Sequence, residues 1–98
     1  NIIELNTGTF CDLLIENNKK EYLEEFEKLK EASVYGKNLG LEIHGGHGLT
    51  FESVKYIASI PEIRELNIGH FLISQAVFDG IEKTINTMRL EIDNSQKK

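Results

Sequence analysis

The sequence predicts an α/β fold made of three consecutive strand–helix units. Three observations carry that prediction. Short apolar alternations recur near 1–6, 39–44 and 65–68, and each is followed by residues spaced for a helix. Each alternation also ends in a glycine-containing turn. Repeated βα units imply parallel strands joined by right-handed crossovers, with helices covering the sheet. Three parallel strands leave two open edges and a thin core, so the chain reads as part of a larger sheet or barrel.

In the first unit, Ile2, Ile3 and Leu5 make the strand, and Glu4 faces opposite to Ile3 and Leu5. Thr7-Gly8-Thr9 is the exit turn, and Phe10 to Ile15 reads as a short helical turn. After the polar break Asn17-Asn18-Lys19-Lys20, Tyr22, Phe26, Leu29 and Ser33 share one face, which predicts a helix over 21–36. In the second unit, Leu39, Leu41 and Ile43 alternate as a strand that breaks into Gly45-Gly46-His47-Gly48. Thr50 suits the cap of a helix over 51–59 with an apolar face of Val54, Ile57 and Ala58, and Pro61 marks its end. The third strand is Glu65 to Ile68. A last helix over 71–92 follows, with Ile73, Val77, Ile81, Ile85, Met88 and Ile92 recurring every three or four residues.

Composition narrows the function. Ninety-eight residues make one small domain, 40% hydrophobic and 28% charged, with a formal charge of −5. That balance argues against a nucleic-acid groove, which needs a basic face. No run approaches the ~18 apolar residues of a membrane span. A single cysteine, Cys11, rules out an internal disulfide and reads as a cytoplasmic protein, with Cys11 itself a small core residue. No signal peptide is visible, and a start at Asn1 reads as a piece of a longer chain.

Chemistry in parallel α/β folds gathers at the C-terminal ends of strands. The sequence offers three such places: Glu4 to Gly8, His47-Gly48 and Gly69-His70. His47, set between glycines, is a candidate acid or base, a metal ligand, or a histidine packed in a turn. A three-histidine metal site from His44, His47 and His70 is disfavoured, because His44 and His47 fall on opposite faces if the strand extends that far. Gly69-His70 leads into a helix with almost no loop, so the free N–H groups of Phe71 and Leu72 suit an anion, and Gly48 offers the same from the neighbouring turn. The alternative is that these glycines serve turn geometry alone. Glu4 is either a working carboxylate in a polar pocket or an edge residue.

Three motifs resemble the pyridoxine 5′-phosphate synthase family: Glu-Leu-Asn-Thr-Gly at 4–8, Gly-His-Gly-Leu-Thr at 46–50, and Ile-Pro-Glu-Ile-Arg-Glu-Leu-Asn-Ile-Gly-His at 60–70. Ala-Val-Phe-Asp-Gly at 76–80 fits as well. The resemblance covers essentially the whole chain and implies the last three βα units of a (β/α)8 barrel, with 1–98 the C-terminal part of a single domain. It implies condensation of 1-deoxy-D-xylulose 5-phosphate with 3-amino-2-oxopropyl phosphate to pyridoxine 5′-phosphate, phosphate and water, in vitamin B6 synthesis. No cofactor and no metal are implied, and the assembly implied is an octamer. By motif, His47 matches the proton donor and Glu4 the carboxylate that stabilises the transition state. Gly48, Gly69 and His70 match the site holding the aminoketone phosphate. Phe10-Cys11 departs from the family's usual tyrosine and small residue, removing a hydroxyl near the Glu4 strand exit, and the run His44-Gly45-Gly46 has a glycine where alanine is frequent. The family's early-strand histidine and glutamate pair and its arginines for the sugar phosphate have no counterpart, so activity is expected only with the N-terminal part of the barrel. The alternative is a phosphate-binding or scaffold fragment without turnover; a metal-dependent hydrolase using the histidines ranks below both.

Overall fold

Eight elements follow one another in the computed structural model, which describes residues 1–96 and leaves the side chain of His70 outside the described residues. They are β1 (Ile2–Asn6), α1 (Gly8–Ile15), α2 (Lys19–Asn38), β2 (Glu42–Gly46), α3 (Phe51–Ile57), β3 (Ile63–Asn67), α4 (Gly69–Asp79) and α5 (Ile81–Gln96). The strands form one parallel sheet in the order β1-β2-β3, each joined to the next through helices. This is the α/β class that the strand–helix alternation predicts.

The two faces of the sheet have opposite chemistry, as the two-residue period of a strand requires. Leu5, Ile43, Ile63 and Leu66 turn toward the helices, where Phe10, Tyr22, Leu29, Leu49, Ile57 and Ile60 form the buried core. Phe10 anchors that layer, its ring meeting Tyr22, Phe26 and Tyr56 at centroid distances of 6.2, 5.9 and 5.4 Å. Aromatic contacts of this kind add to the area that they bury. The opposite face carries Glu4, Glu42, His44, Glu65 and Asn67. On it the His44 Nε2 lies 2.6 Å from Glu42 Oε2 and 3.5 Å from Glu65 Oε2.

Several boundaries differ from the sequence prediction, each for a local reason. The helix expected over 21–36 is longer at both ends, because the Asn18 side chain accepts the Glu21 N–H at 3.3 Å and caps a start at Lys19. The second strand is shifted from 39–44 to Glu42–Gly46: Leu39 closes α2, and Gly40 at φ +86° turns the chain. Gly45 and Gly46 are therefore strand residues rather than a turn. The third strand runs Ile63–Asn67 instead of 65–68, and a bulge at Arg64 lets Ile63 pair with Ile43 while Glu65 pairs with His44. That bulge puts both Ile63 and Leu66 on the core side, which simple alternation does not allow.

The helix expected over 51–59 ends at Ile57, and Thr50 and Ser53 cap its start reciprocally. The helix expected over 71–92 is two helices, broken at Gly80 with φ +84°. The Gly80 N–H still donates to Ala76 O (2.9 Å), and Thr84 Oγ1 donates to Gly80 O (2.8 Å), so the periodicity survives the break. Met88 is buried, but Ile73, Val77 and Ile81 are 69, 79 and 58% exposed, so much of that apolar stripe is left uncovered by the described residues. Among the described residues no helix is long and apolar enough to cross a membrane.

Two outcomes follow for the complete protein. Phe10→Ala should cost about 3–5 kcal/mol, read as a lower denaturant midpoint with an unchanged slope. The hydrogen bond with the His44 ring holds the Glu42 carboxyl below its usual range. A carboxyl depressed in the folded state stabilises above its unfolded pKa, and that stabilisation fades as pH falls through the folded one. The melting-temperature advantage of wild type over Glu42→Gln should therefore be present at neutral pH and vanish in acid; a pH-independent difference would remove the coupling.

Candidate functional site

The site begins with a missing side chain. Asn6, Gly46 and Asn67 lie side by side at the C-terminal ends of the three strands. Across the bare backbone of Gly46, the Asn67 Nδ2 donates to Glu4 Oε1 at 2.7 Å. A Cβ at position 46 would collide with that carboxylate oxygen and stand 3.0 Å from the Asn67 Cβ. Glycine is thus the residue that lets a carboxylate on β1 reach an amide on β3. Glu4 is exposed on the polar face of β1, an edge strand of this sheet, and its carboxylate is held by Asn67.

His47 follows immediately, in a backbone conformation unusual for a residue with a side chain, at φ +89°. The buried Thr7 grips this turn. Its N–H donates to Gly46 O at 2.8 Å, and its hydroxyl lies 2.9 Å from Gly46 O and 2.7 Å from His47 O. Cys11 Sγ stands 3.8 Å from the same His47 carbonyl. Burial pushes the Cys11 thiol up, so it stays protonated and acts as a small packing group. The His47 imidazole lies against Gly8 at the start of α1: a Cβ there would meet its Cδ2 at 2.6 Å. Gly48, at φ +77°, packs on Cys11 and the Gly8 Cα. Phe10 points into the aromatic core, so the tyrosine-to-phenylalanine departure removes no hydroxyl from this site.

His47 stands between two clefts. One of about 340 Å³ is lined by Glu4, Asn6, Gly46 and His47. The other, about 490 Å³, is lined by His47 and Gly48 on one side and by Asn67, Ile68, Phe71 and Ser74 on the other. Glu4, His47 and Gly48 are thus brought together. Gly69 lines a further cleft of about 450 Å³ that meets the second one at Asn67 and Ile68. The first turn of α4 starts at Gly69, two residues earlier than the sequence predicts, and no side chain caps it. Leu72 is not a free donor: its N–H already goes to Ile68 O at 3.2 Å. The N–H groups ahead of it, at Gly69, His70 and Phe71, are the ones that a first helical turn leaves without helical acceptors.

The three-histidine grouping does not form around His44, which is held by Glu42 on the polar face of the sheet. Among the described residues, the set close enough to share an ion is Glu42, His44 and Glu65, without His47. The His70 side chain lies outside the described residues. Sequence reasoning missed Asn67 and Thr7. The signal for Asn67 was the strand alternation Glu65-Leu66-Asn67, which puts it on the Glu4 face. For Thr7 it was a hydroxyl residue at a strand exit, beside a glycine.

The sequence model of one protein family, described as pyridoxal phosphate biosynthesis protein PdxJ, matches residues 1–94. The chain is 43% identical over 96 residues to a pyridoxine 5′-phosphate synthase of Cereibacter sphaeroides, covering 98% of this chain and 38% of that protein. The enzyme of the same name from Ruegeria pomeroyi is 45% identical over 95 residues, covering 97% and 38%. That of Photobacterium profundum is 41% identical, with the same coverage. The chain therefore spans a little over a third of the length of these relatives. With the family model matched over residues 1–94, from β1 into α5, the chain belongs to the PdxJ family of pyridoxal phosphate biosynthesis proteins.

Proposed function

We propose that the complete protein is a pyridoxine 5′-phosphate synthase, and that this segment supplies its proton donor and its aminoketone-phosphate site. The observation that carries the reading is the convergence of Glu4 and His47 on one cleft, with Gly48 on the adjoining wall. His47 delivers a proton from an exposed ring on a fixed turn. Glu4, oriented by Asn67, sets a negative charge beside positive charge that develops in the transition state. With a net charge of −5, phosphate binding rests on local donors, and the backbone supplies them. The N-terminal turn of α4 carries roughly half a positive charge, and Gly48 leaves its backbone open to a ligand. Condensation of the two substrates releases inorganic phosphate and water, and no cofactor or metal takes part.

The same reading makes the segment dependent on the rest of a barrel. Among the described residues, β1 and β3 each pair on one side only, and Ile2, Ile3 and the α4 stripe are exposed, which supports cover by further βα units and by other copies in a homo-oligomer. The 98-residue chain expressed alone should show no turnover, and activity should require the N-terminal units.

Two experiments test the residue roles. His47→Asn in the complete enzyme should lower kcat by on the order of 10²–10⁴-fold with KM nearly unchanged; a raised KM at unchanged kcat would make His47 a binding residue. Gly69→Val should fold, since a Cβ there meets no atom within 4 Å. It should raise KM for 3-amino-2-oxopropyl phosphate more than for 1-deoxy-D-xylulose 5-phosphate. Equal effects on both would remove the α4 turn from the phosphate site.

A further inference from the structure

We propose that Thr7 is a positioning residue that, with Gly8, aims the His47 imidazole. The inference rests on the reading of His47 as proton donor and adds the device that holds it. His47 occupies a left-handed backbone conformation that a side chain disfavours, so the surroundings must impose it. Two contacts do so. The Thr7 hydroxyl reaches the His47 carbonyl at 2.7 Å, the shorter of its two contacts, and so fixes the peptide that follows the imidazole. The absent side chain of Gly8 then leaves a flat patch of backbone on which the ring lies, with Nε2 3.3 Å from where a Cβ would stand.

Thr7 is fully buried and lines neither cleft at His47, so it does not touch a substrate bound there. Its influence passes through the His47 backbone. Without the hydroxyl, the Gly46 carbonyl keeps the Thr7 N–H, but the His47 carbonyl keeps only the Cys11 thiol at 3.8 Å. A thiol is a weak donor, and the 47–48 peptide is then released while the strand end stays paired.

The test uses the complete enzyme. Thr7→Val keeps the shape and removes the hydroxyl; it should lower kcat on the order of tenfold to a hundredfold, the scale of a misplacement near 1 Å. KM for both phosphorylated substrates should stay within about twofold, as expected for an interaction felt only in the transition state. Thr7→Ser, which restores the hydroxyl, should recover most of the turnover. Gly8→Ala pushes the ring off its seat without touching Thr7 and should produce the same kcat-specific loss; if Thr7→Val does not fold, this variant decides. Adding Thr7→Val to His47→Asn should lower the residual rate no more than about twofold, because residues that act through one another are not additive. A full additive loss, or a rise in KM without a fall in kcat, would overturn the seat. So would unchanged kcat in Thr7→Val and Gly8→Ala while His47→Asn is disabled, and the proton-donor reading would then stand. Unchanged kcat in His47→Asn itself overturns that reading and the seat with it.

Discussion

The bare backbone at Gly46 sets how closely the functional groups of this segment approach one another. A parallel sheet spaces neighbouring strands by about 4.8 Å, so groups on β1 and β3 are separated by the full width of β2. Any side chain at position 46 would fill the gap between them. With glycine there, Glu4 meets Asn67 directly, and the strand ends with its carbonyl free to accept from Thr7. The carboxylate, the amide and the histidine turn are thereby tied to one another at the strand ends.

Much of this was legible in the sequence where the pattern is local. The strand–helix order, the helical face of Tyr22, Leu29 and Ser33, and the position of His47 at a strand end all come from spacing and glycine placement. What escaped was set by contacts between distant segments. The bulge at Arg64 is invisible to alternation because it exists to match β3 to β2. Thr7 and Asn67 gain their meaning from partners 40 and 63 residues away. The break at Gly80 was hidden because α4 and α5 keep the same apolar spacing on either side of it. The glycines around His47 differ in what they do: Gly48 serves a left-handed turn, Gly46 serves the close approach of Glu4 and Asn67, and a Cβ at Gly45 would meet Ile57 and Ile63 only at ordinary contact distance.

The two faces of the sheet divide the work. Apolar residues on the helix side, centred on Phe10, hold the layers together, and this is where the departure from tyrosine at that position falls. The other side carries Glu4 paired with Asn67, and His44 set between Glu42 and Glu65, linked by polar contacts rather than packed. Family membership and this polar face agree in a simple way. Helix-covered strands whose remaining face is charged suit a closed sheet with a polar interior, and the short reach between strand ends gathers Glu4, Asn67 and the His47 turn at one end.

The bulge at Arg64 also bears on how this segment tolerates changes in chain length over evolutionary time. In an unbulged strand, losing one residue turns every later side chain to the opposite face. In β2 such a loss anywhere from Glu42 to Gly46 would carry the histidine turn to the wrong side of the sheet. In β3 the extra residue is slack: with either Arg64 or Glu65 deleted, the other fills the single outward position between Ile63 and Leu66, and Asn67 still faces Glu4. Natural deletions should accordingly be found in β3 at this spot and be absent from β2, so that two strands of equal length carry unequal freedom to shorten.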